Sequence, residues 1–325
     1  MIVFRTECGA TQGWGHMMRC LAIADAARAH GGSARFVVTG DLARARALAA
    51  SRFAVEKAHK GWESTLSVPS NRGVVVFDGY GLGVEEAKRI VRAGWPLAVM
   101  SDDGREPIAQ ARLIVNGNLF YARPELYAAA SHATLLLGPR FTPLRPELHT
   151  HRREEPVRAR AGRIMVLPGG SDAGELIAPV LDILLNETPT DTTVLLAATA
   201  RDIDARGHRI EWVREPHEVA AAMGASDIAI AAGGMSSYEL AYLGIPSILV
   251  PASAMQGPVS AELQRLGVAH LVQQETLRSQ LPTLLDALAG TAPRQAMRDA
   301  GLCLFDGRGA ARIASALLGL EKENT

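Results

Sequence analysis

Several short loops in this 325-residue sequence combine residue types that can do chemistry. The first runs Cys8-Gly9-Ala10-Thr11-Gln12-Gly13-Trp14-Gly15-His16 and leads into a helix-forming stretch. Gly13 and Gly15 let a backbone approach a ligand closely, because no Cβ intervenes. A helix start offers unpaired N–H groups and a positive dipole end. That end favours the neutral imidazole, so His16 is a candidate general base. The same residues also suit a plain glycine-rich turn with a solvent-facing histidine. The spacing of Gly9, Gly13 and Gly15 does not form the dinucleotide fingerprint.

Phe77-Asp78-Gly79-Tyr80-Gly81 places an acid before a Gly-aromatic-Gly turn. A carboxylate accepts from sugar hydroxyls and an aromatic ring covers a sugar's apolar face. Asp78 could equally bond its own backbone in a turn. Ser101-Asp102-Asp103-Gly104 could orient a catalytic histidine or bind a cation, but reads more readily as a turn or helix cap.

Two more loops, Leu167-Pro168-Gly169-Gly170-Ser171-Asp172 and Ala232-Gly233-Gly234-Met235-Ser236-Ser237-Tyr238-Glu239, each follow an apolar run and precede a helical one. Glycines and hydroxyls at a helix amino terminus make a phosphate site from backbone N–H groups. Neither loop carries the lysine of a P-loop, so nucleoside triphosphate hydrolysis is not expected. A pair of such loops suits a diphosphate. Glu239, one turn into its helix, could accept from both ribose hydroxyls. Gln256, at the end of Pro251–Gln256, is a candidate sugar or phosphate contact.

The elements that must position these loops follow from the hydrophobic pattern. Strands are expected at Ile2–Arg5, Arg35–Thr39, Val74–Phe77, Leu97–Met100, Arg112–Val115 and Thr134–Leu137, with helices at Gly15–His30, Asp41–Ser51 and Val84–Ala93. Strands this apolar, separated by helix-length segments, imply a parallel sheet covered on both faces. The proline- and charge-rich stretch 138–162 breaks the rhythm and reads as an interdomain linker. The rhythm then restarts with strands at Ile164–Leu167, Thr193–Ala197, Ile228–Ala231, Ser247–Val250 and His270–Val272. Helices are expected near 173–186, 216–223, 236–243, 257–266 and 275–289, with a last one at Gly307–Leu320.

The expected fold is therefore α/β, two Rossmann-like doubly wound domains facing a cleft. The domains would be 1–145 and 163–325, joined by 146–162, with a last helix that could pack back on the first. Ligands of such sheets sit beyond the carboxyl ends of the strands, where the chemically interesting loops lie.

Composition excludes several function classes. Apolar residues make up 48% and charged residues 21%, an ordinary globular balance. Lys plus Arg number 34, as do Asp plus Glu, so the basic excess needed for nucleic acid or anionic membranes is missing. Cys8, Cys20 and Cys303 make no disulfide framework and have no metal-ligand spacing. The amino-terminal residues do not read as a signal peptide, and no apolar run approaches the roughly 18 residues of a membrane span. A cytoplasmic protein, monomer or weak homo-oligomer, without metal or cofactor, is expected.

Several of these motifs together resemble the PseG/SpsG family, UDP-diacetamido-trideoxyhexose hydrolases of pseudaminic-type (nonulosonic) acid and surface polysaccharide biosynthesis. Gly13–Ala24 looks like its G-x-G-H-xx-R-C-L opening, and Asp78 and Tyr80 match its acid-x-Tyr-Gly-Leu turn. Ser101–Asp103 matches its acidic loop, Leu136–Leu148 its interdomain signature, and Gly169–Asp172 its GG-x-D turn. Ala231–Val250 looks like its nucleotide-binding helix. More distantly, the second half is similar to MurG-type glycosyltransferases.

The resemblance implies a GT-B fold and metal-independent hydrolysis of a UDP-sugar to UDP and free sugar. His16 would be the base for water, with Tyr80 and Asp78 beside it. Gly13, Gly15, Gly169, Gly170, Ser171, Gly233, Gly234, Met235, Ser236, Ser237, Glu239 and Gln256 would hold the substrate. The family commonly carries Asn before the last loop's Gln; here Met255 stands in that place and alters a polar contact. Two alternatives use the same residues: a UDP-sugar-dependent GT-B glycosyltransferase, and a non-catalytic nucleotide-sugar-binding protein.

Overall fold

A computed structural model describes residues 1–9, 14–66, 73–81, 83–104, 108–152, 155–169, 173–197 and 203–323. It forms two compact units: Met1–Arg145 with Gly307–Thr325, and Pro146–Asp306.

The first unit is built on strands β1 (Ile2–Cys8), β2 (Ala34–Gly40), β3 (Ala54–Lys57), β4 (Val74–Asp78), β5 (Leu97–Met100), β6 (Leu113–Asn116) and β7 (Thr134–Leu137). They form one parallel sheet in the order β3-β2-β1-β4-β5-β6-β7. The strand order reverses between β1 and β4, the switch point where such sheets hold ligands. All seven residues of β1 are buried, since it has a strand on each side and helices on each face. Ile2, Phe4 and Cys8 join one core with helix α1 (Gly15–Ala29), while Val3 joins the core on the opposite face.

Helix α1 is apolar on most of its circumference, as a helix covered on two sides must be. The sheet covers one side. The last helix, Gly309–Glu323, covers another, placing Ile313, Ala314 and Leu317 in the same core. Helices α2 (Leu42–Ala49) and α3 (Val84–Arg92) complete this unit.

The second unit carries β8 (Arg163–Leu167), β9 (Thr193–Leu196), β10 (Arg209–Trp212), β11 (Ile228–Ala231), β12 (Ser247–Leu249) and β13 (Ala269–Leu271). These are again parallel, in the order β10-β9-β8-β11-β12-β13. Its helices are α4 (Ala173–Glu187), α5 (Pro216–Ala225), α6 (Met235–Leu243), α7 (Gln256–Arg265), α8 (Leu277–Ala289) and α9 (Thr291–Leu304); the last helix of the chain is α10. The described residues of 146–162 are held to this unit by side chains. His149 Nδ1 and the Tyr242 hydroxyl are 2.6 Å apart, and Arg158 pairs with Asp227 at 2.8 Å.

Four elements depart from the sequence reading. Strands β3 (AVEK) and β10 (RIEW) lie at sheet edges, where exposure permits a polar composition without an apolar run. Helix α9 follows α8 directly, because Gly290 in an extended conformation breaks one long helical stretch in two. Strand β1 also runs three residues beyond Arg5. Thr6 and Glu7 are polar yet buried, and Glu7 is part of the site.

Candidate active site

The sheet of the first unit brings four distant residues into one charged cluster. His16 is the second residue of α1, Asp78 ends β4, and Asp102 and Tyr80 lie in the loops after β5 and β4. His16 Nδ1 lies 2.7 Å from Asp78 Oδ1. Arg19, one helical turn after His16, donates from Nε to Asp78 Oδ2 at 2.7 Å and from Nη1 to Asp102 Oδ1 at 2.6 Å. The Tyr80 hydroxyl donates to Asp102 Oδ2 at 3.1 Å, and its ring meets the His16 ring edge-on, centroids 5.0 Å apart. Asp78 is fully buried and His16 is 6% exposed.

These contacts fix the histidine's tautomer. Nδ1 also lies 3.0 Å from Arg19 Nη2, but two donors cannot share a proton between them. The closer anionic partner decides: Nδ1–H donates to Asp78, which leaves the Nε2 lone pair as the proton acceptor. Burial alone would raise the Asp78 carboxyl, but Arg19 and His16 outweigh it and hold Asp78 well below the usual carboxylate range. Asp102 is likewise lowered, burial being outweighed by Arg19. The Tyr80 phenol is pushed up by burial and by Asp102, which keeps it a donor. The Cys20 thiol is pushed up by burial and by Asp78, to which it donates at 3.2 Å; it is not a poised nucleophile.

The turn after β4 is held from below by Glu7. Its carboxylate accepts from Tyr80 N at 3.1 Å and Gly81 N at 3.0 Å. A Cβ at Gly81 would come within 2.2 Å of Glu7 Oε1, and one at Gly79 within 2.7 Å of Glu7 Cγ. The Gly-aromatic-Gly pattern is therefore a packing requirement that sets the position of Tyr80, itself 62% exposed.

The second unit's candidate site is made mainly of backbone. Gly233 and Gly234 end the turn between β11 and α6. Gly233 has φ +78°, and a Cβ there would lie 2.4 Å from Ser260 Oγ. Neither α6 nor α7 has a side-chain cap or an acidic residue in its first turn. The same holds for α1. Such helix starts keep N–H groups and a positive dipole end available to an anion. Met235 and Ser236 open α6 part-exposed, and Glu239 is buried one turn on. Gly169 lies two residues after the end of β8, with φ +87°.

Two predicted ligand contacts also have structural work. The Ser237 hydroxyl donates to Gly234 O at 2.6 Å, bracing the first turn of α6. Gln256 Oε1 accepts from Ala252 N at 2.8 Å, which closes the loop after β12. Its Nε2 is the nearest group to a Cβ placed on Gly234, at 3.6 Å, so Gln256 links that loop to the glycine turn. Met255 is the capping residue of α7 and contributes no side-chain cap.

The structure thus unites His16, Asp78 and Tyr80 in one unit, and groups Gly233, Gly234, Met235, Ser236, Ser237, Glu239 and Gln256 in the other. Gly15 opens α1, and a Cβ there would meet nothing within 4 Å. Gly13, Gly170 and Ser171 lie outside the described residues. The sequence alone singles out neither Arg19 nor Glu7 as a site residue, and gives Asp102 only within a loop that reads more readily as a turn or helix cap. Arg19 lies three residues after His16, hence on the same helix face, a spacing that could have revealed it. Among the described residues no cluster of three or more His, Cys, Asp or Glu could hold a metal ion, and no helix is long and apolar enough to cross a membrane.

No family model matches the chain. Among curated proteins it is 24% identical to the spore coat polysaccharide biosynthesis protein SpsG of Bacillus subtilis, over 77% of each chain. It is 30% identical to the UDP-N-acetylglucosamine--N-acetylmuramyl-(pentapeptide) pyrophosphoryl-undecaprenol N-acetylglucosamine transferase of Pseudomonas entomophila, over 69% of this chain and 68% of the relative. Among solved structures it resembles MurG of Acinetobacter baumannii, with a TM-score of 0.63 and 14% identity over 99% of both chains. That likeness shows the GT-B fold of two Rossmann-like domains.

Proposed function

The chain belongs to the MurG-related PseG/SpsG family of GT-B proteins, and on that premise we propose that it is an enzyme that transfers the glycosyl group of a UDP-sugar to a hydroxyl nucleophile. The observation that carries this reading is the His16–Asp78 hydrogen bond at the start of α1. A base oriented by a buried, ionised carboxylate is what activation of a hydroxyl requires.

In this reading His16 Nε2 takes the proton of the attacking hydroxyl as its oxygen bonds to the anomeric carbon. The bond from that carbon to the diphosphate oxygen breaks, and UDP leaves with the electron pair. Asp78 stabilises the imidazolium that forms, and Arg19 keeps Asp78 ionised and in place. Tyr80 positions the sugar. The second unit holds the donor: the amides at the start of α6, with Gly233, Gly234 and Ser236, receive the diphosphate, and Glu239 the ribose. Those amides face charge that grows on the leaving group, where fixed dipoles act most strongly.

Transfer to an acceptor is favoured by the transferase relative, the most identical of the relatives described above. Water as the nucleophile, giving UDP and free sugar, is the second reading; the Gly13–Ala24 and Asp78–Gly81 motifs support it. One experiment separates the two. The protein is incubated with UDP-sugars in H₂¹⁸O, with and without candidate acceptors, and products are read by mass spectrometry. UDP release that depends on an acceptor supports transfer. Stoichiometric free sugar carrying the label without acceptor supports hydrolysis. UDP-sugar binding with no product in either arm removes the enzymatic reading.

A further inference from the structure

The first unit contains a cavity of about 280 Å³ that none of this chemistry uses. It lies on the α3 face of the sheet, lined by Arg5, Thr39, His59, Lys60, Trp62, Glu63, Glu86 and Arg89 among others. Arg5 projects from β1 two residues before Glu7, on the same face of the strand. Gly61, at φ +80°, turns the chain after β3 so that Trp62 and Glu63 are buried beneath it.

The polar groups lining this cavity are only half satisfied. Glu63 is 5% exposed; its Oε1 accepts from Arg89 at 2.7 Å, while its buried Oε2 has no partner. Arg5 is 8% exposed. It donates from Nε to Glu86 at 3.1 Å and from Nη1 to Thr6 O at 3.2 Å, and among the described residues its Nη2 has no hydrogen bond. Glu86 Oε1 is further engaged by Trp62 Nε1. Lys60 is exposed and makes no ion pair among the described residues. A guanidinium cannot be deprotonated, so each of its N–H groups requires an acceptor.

We propose that this cavity is a second small-molecule site, which takes an anionic compound of one ring's size. The anionic group, carboxylate or phosphate, meets Arg5 Nη2 and Lys60. The lining carries three cations, Arg5, Lys60 and Arg89, against two carboxylates, Glu63 and Glu86. That excess selects an anion over a zwitterion or a neutral sugar. The volume is just below the roughly 300–1,000 Å³ of drug-sized pockets, room for one ring and not for a nucleotide sugar.

The test is calorimetric titration of the full chain with glucuronate, glucose 6-phosphate and glucose, in the absence and presence of saturating UDP. Saturable binding of at least one of the anionic sugars, none of glucose, and no effect of UDP is expected; whichever anion binds identifies the group. Lys60→Glu and Arg5→Gln should each weaken that binding about tenfold or more, the scale of a charge-assisted hydrogen bond. Lys60 is exposed, so its variant keeps the fold and decides the matter if Arg5→Gln does not. No saturable binding of either anion overturns the site, as do equal binding of glucose, displacement by UDP, or affinities that Lys60→Glu leaves unchanged.

Discussion

The candidate sites of the two units are built from opposite materials. In the first unit side chains do the work: two carboxylates, a guanidinium, an imidazole and a phenol, locked to one another by bonds of 2.6–3.1 Å. In the second the work falls to the backbone: glycine turns and uncapped helix starts, with Ser237 and Gln256 serving as braces. The difference suits the role proposed for each. Moving a proton requires a group whose charge changes and a partner that stabilises the change. Holding a diphosphate requires only fixed positive dipoles, which burial does not neutralise. A side-chain site is fragile to the loss of one functional group. A backbone site tolerates side-chain loss and fails when a glycine gains a Cβ.

The largest expected effect strikes the side-chain site. His16→Ala should lower turnover of the UDP-sugar by about 100- to 10,000-fold, the range of a general base, with UDP affinity unchanged by titration. Turnover at the wild-type level would break the base assignment.

Next comes Asp78→Asn, which leaves Arg19 and His16 facing a neutral group. Breaking a buried ion pair typically destabilises by about 3–5 kcal/mol, and denaturant unfolding should show a loss of that order. The pH dependence sharpens the point. The folded Asp78 carboxyl is held below its unfolded value of about 3.9, so its stabilisation is complete above that pH and is lost as pH falls toward the lower folded value. Between about pH 4 and 2 wild type should therefore lose stability more steeply than Asp78→Asn, as followed by circular dichroism.

Gly233→Ala attacks the backbone site. It forces a Cβ to 2.4 Å from Ser260 Oγ at a positive φ. UDP affinity should fall about tenfold or more, the left-handed backbone alone accounting for about 1–2 kcal/mol. Ser236→Ala, by contrast, should change affinity by only a few-fold, as the amide remains. If the serine matters more than the glycine, the contrast between the two sites is wrong. The smallest effect is expected from Tyr80→Phe. It removes one hydrogen bond from a side chain that is mostly exposed, so turnover should drop only about two- to five-fold while the protein's melting temperature stays within a degree or two.

Much of this contrast was legible in the residues themselves. Apolar runs such as Val74–Phe77 and Ile228–Ala231 declare buried parallel strands, and glycine pairs before helical stretches declare the turns of the second unit. The edge strands were hidden because exposure lets them look like loops. Glu7 was hidden for a different reason. A polar Thr-Glu pair ends an apolar run, yet here the strand continues because its carboxylate has two amides to hold. Asp102 could not be weighed as a turn cap against a network member without its neighbour. It reaches Arg19 because β5 lies beside β4, which is a fact of sheet order and not of spacing.

Helix α10 has a consequence for how the protein is made. It belongs to the first unit although the whole second unit precedes it in the chain, and it covers α1, the helix that carries His16 and Arg19. During synthesis residues 146–306 leave the ribosome before that cover exists. The nascent first unit must wait with the apolar outer face of α1 uncovered, while the second unit already has every residue it needs to fold. The helix that carries His16 is thus the last part of its unit to be locked in place, and a ribosome that stalls before residue 307 holds a chain whose first unit lacks its final core layer.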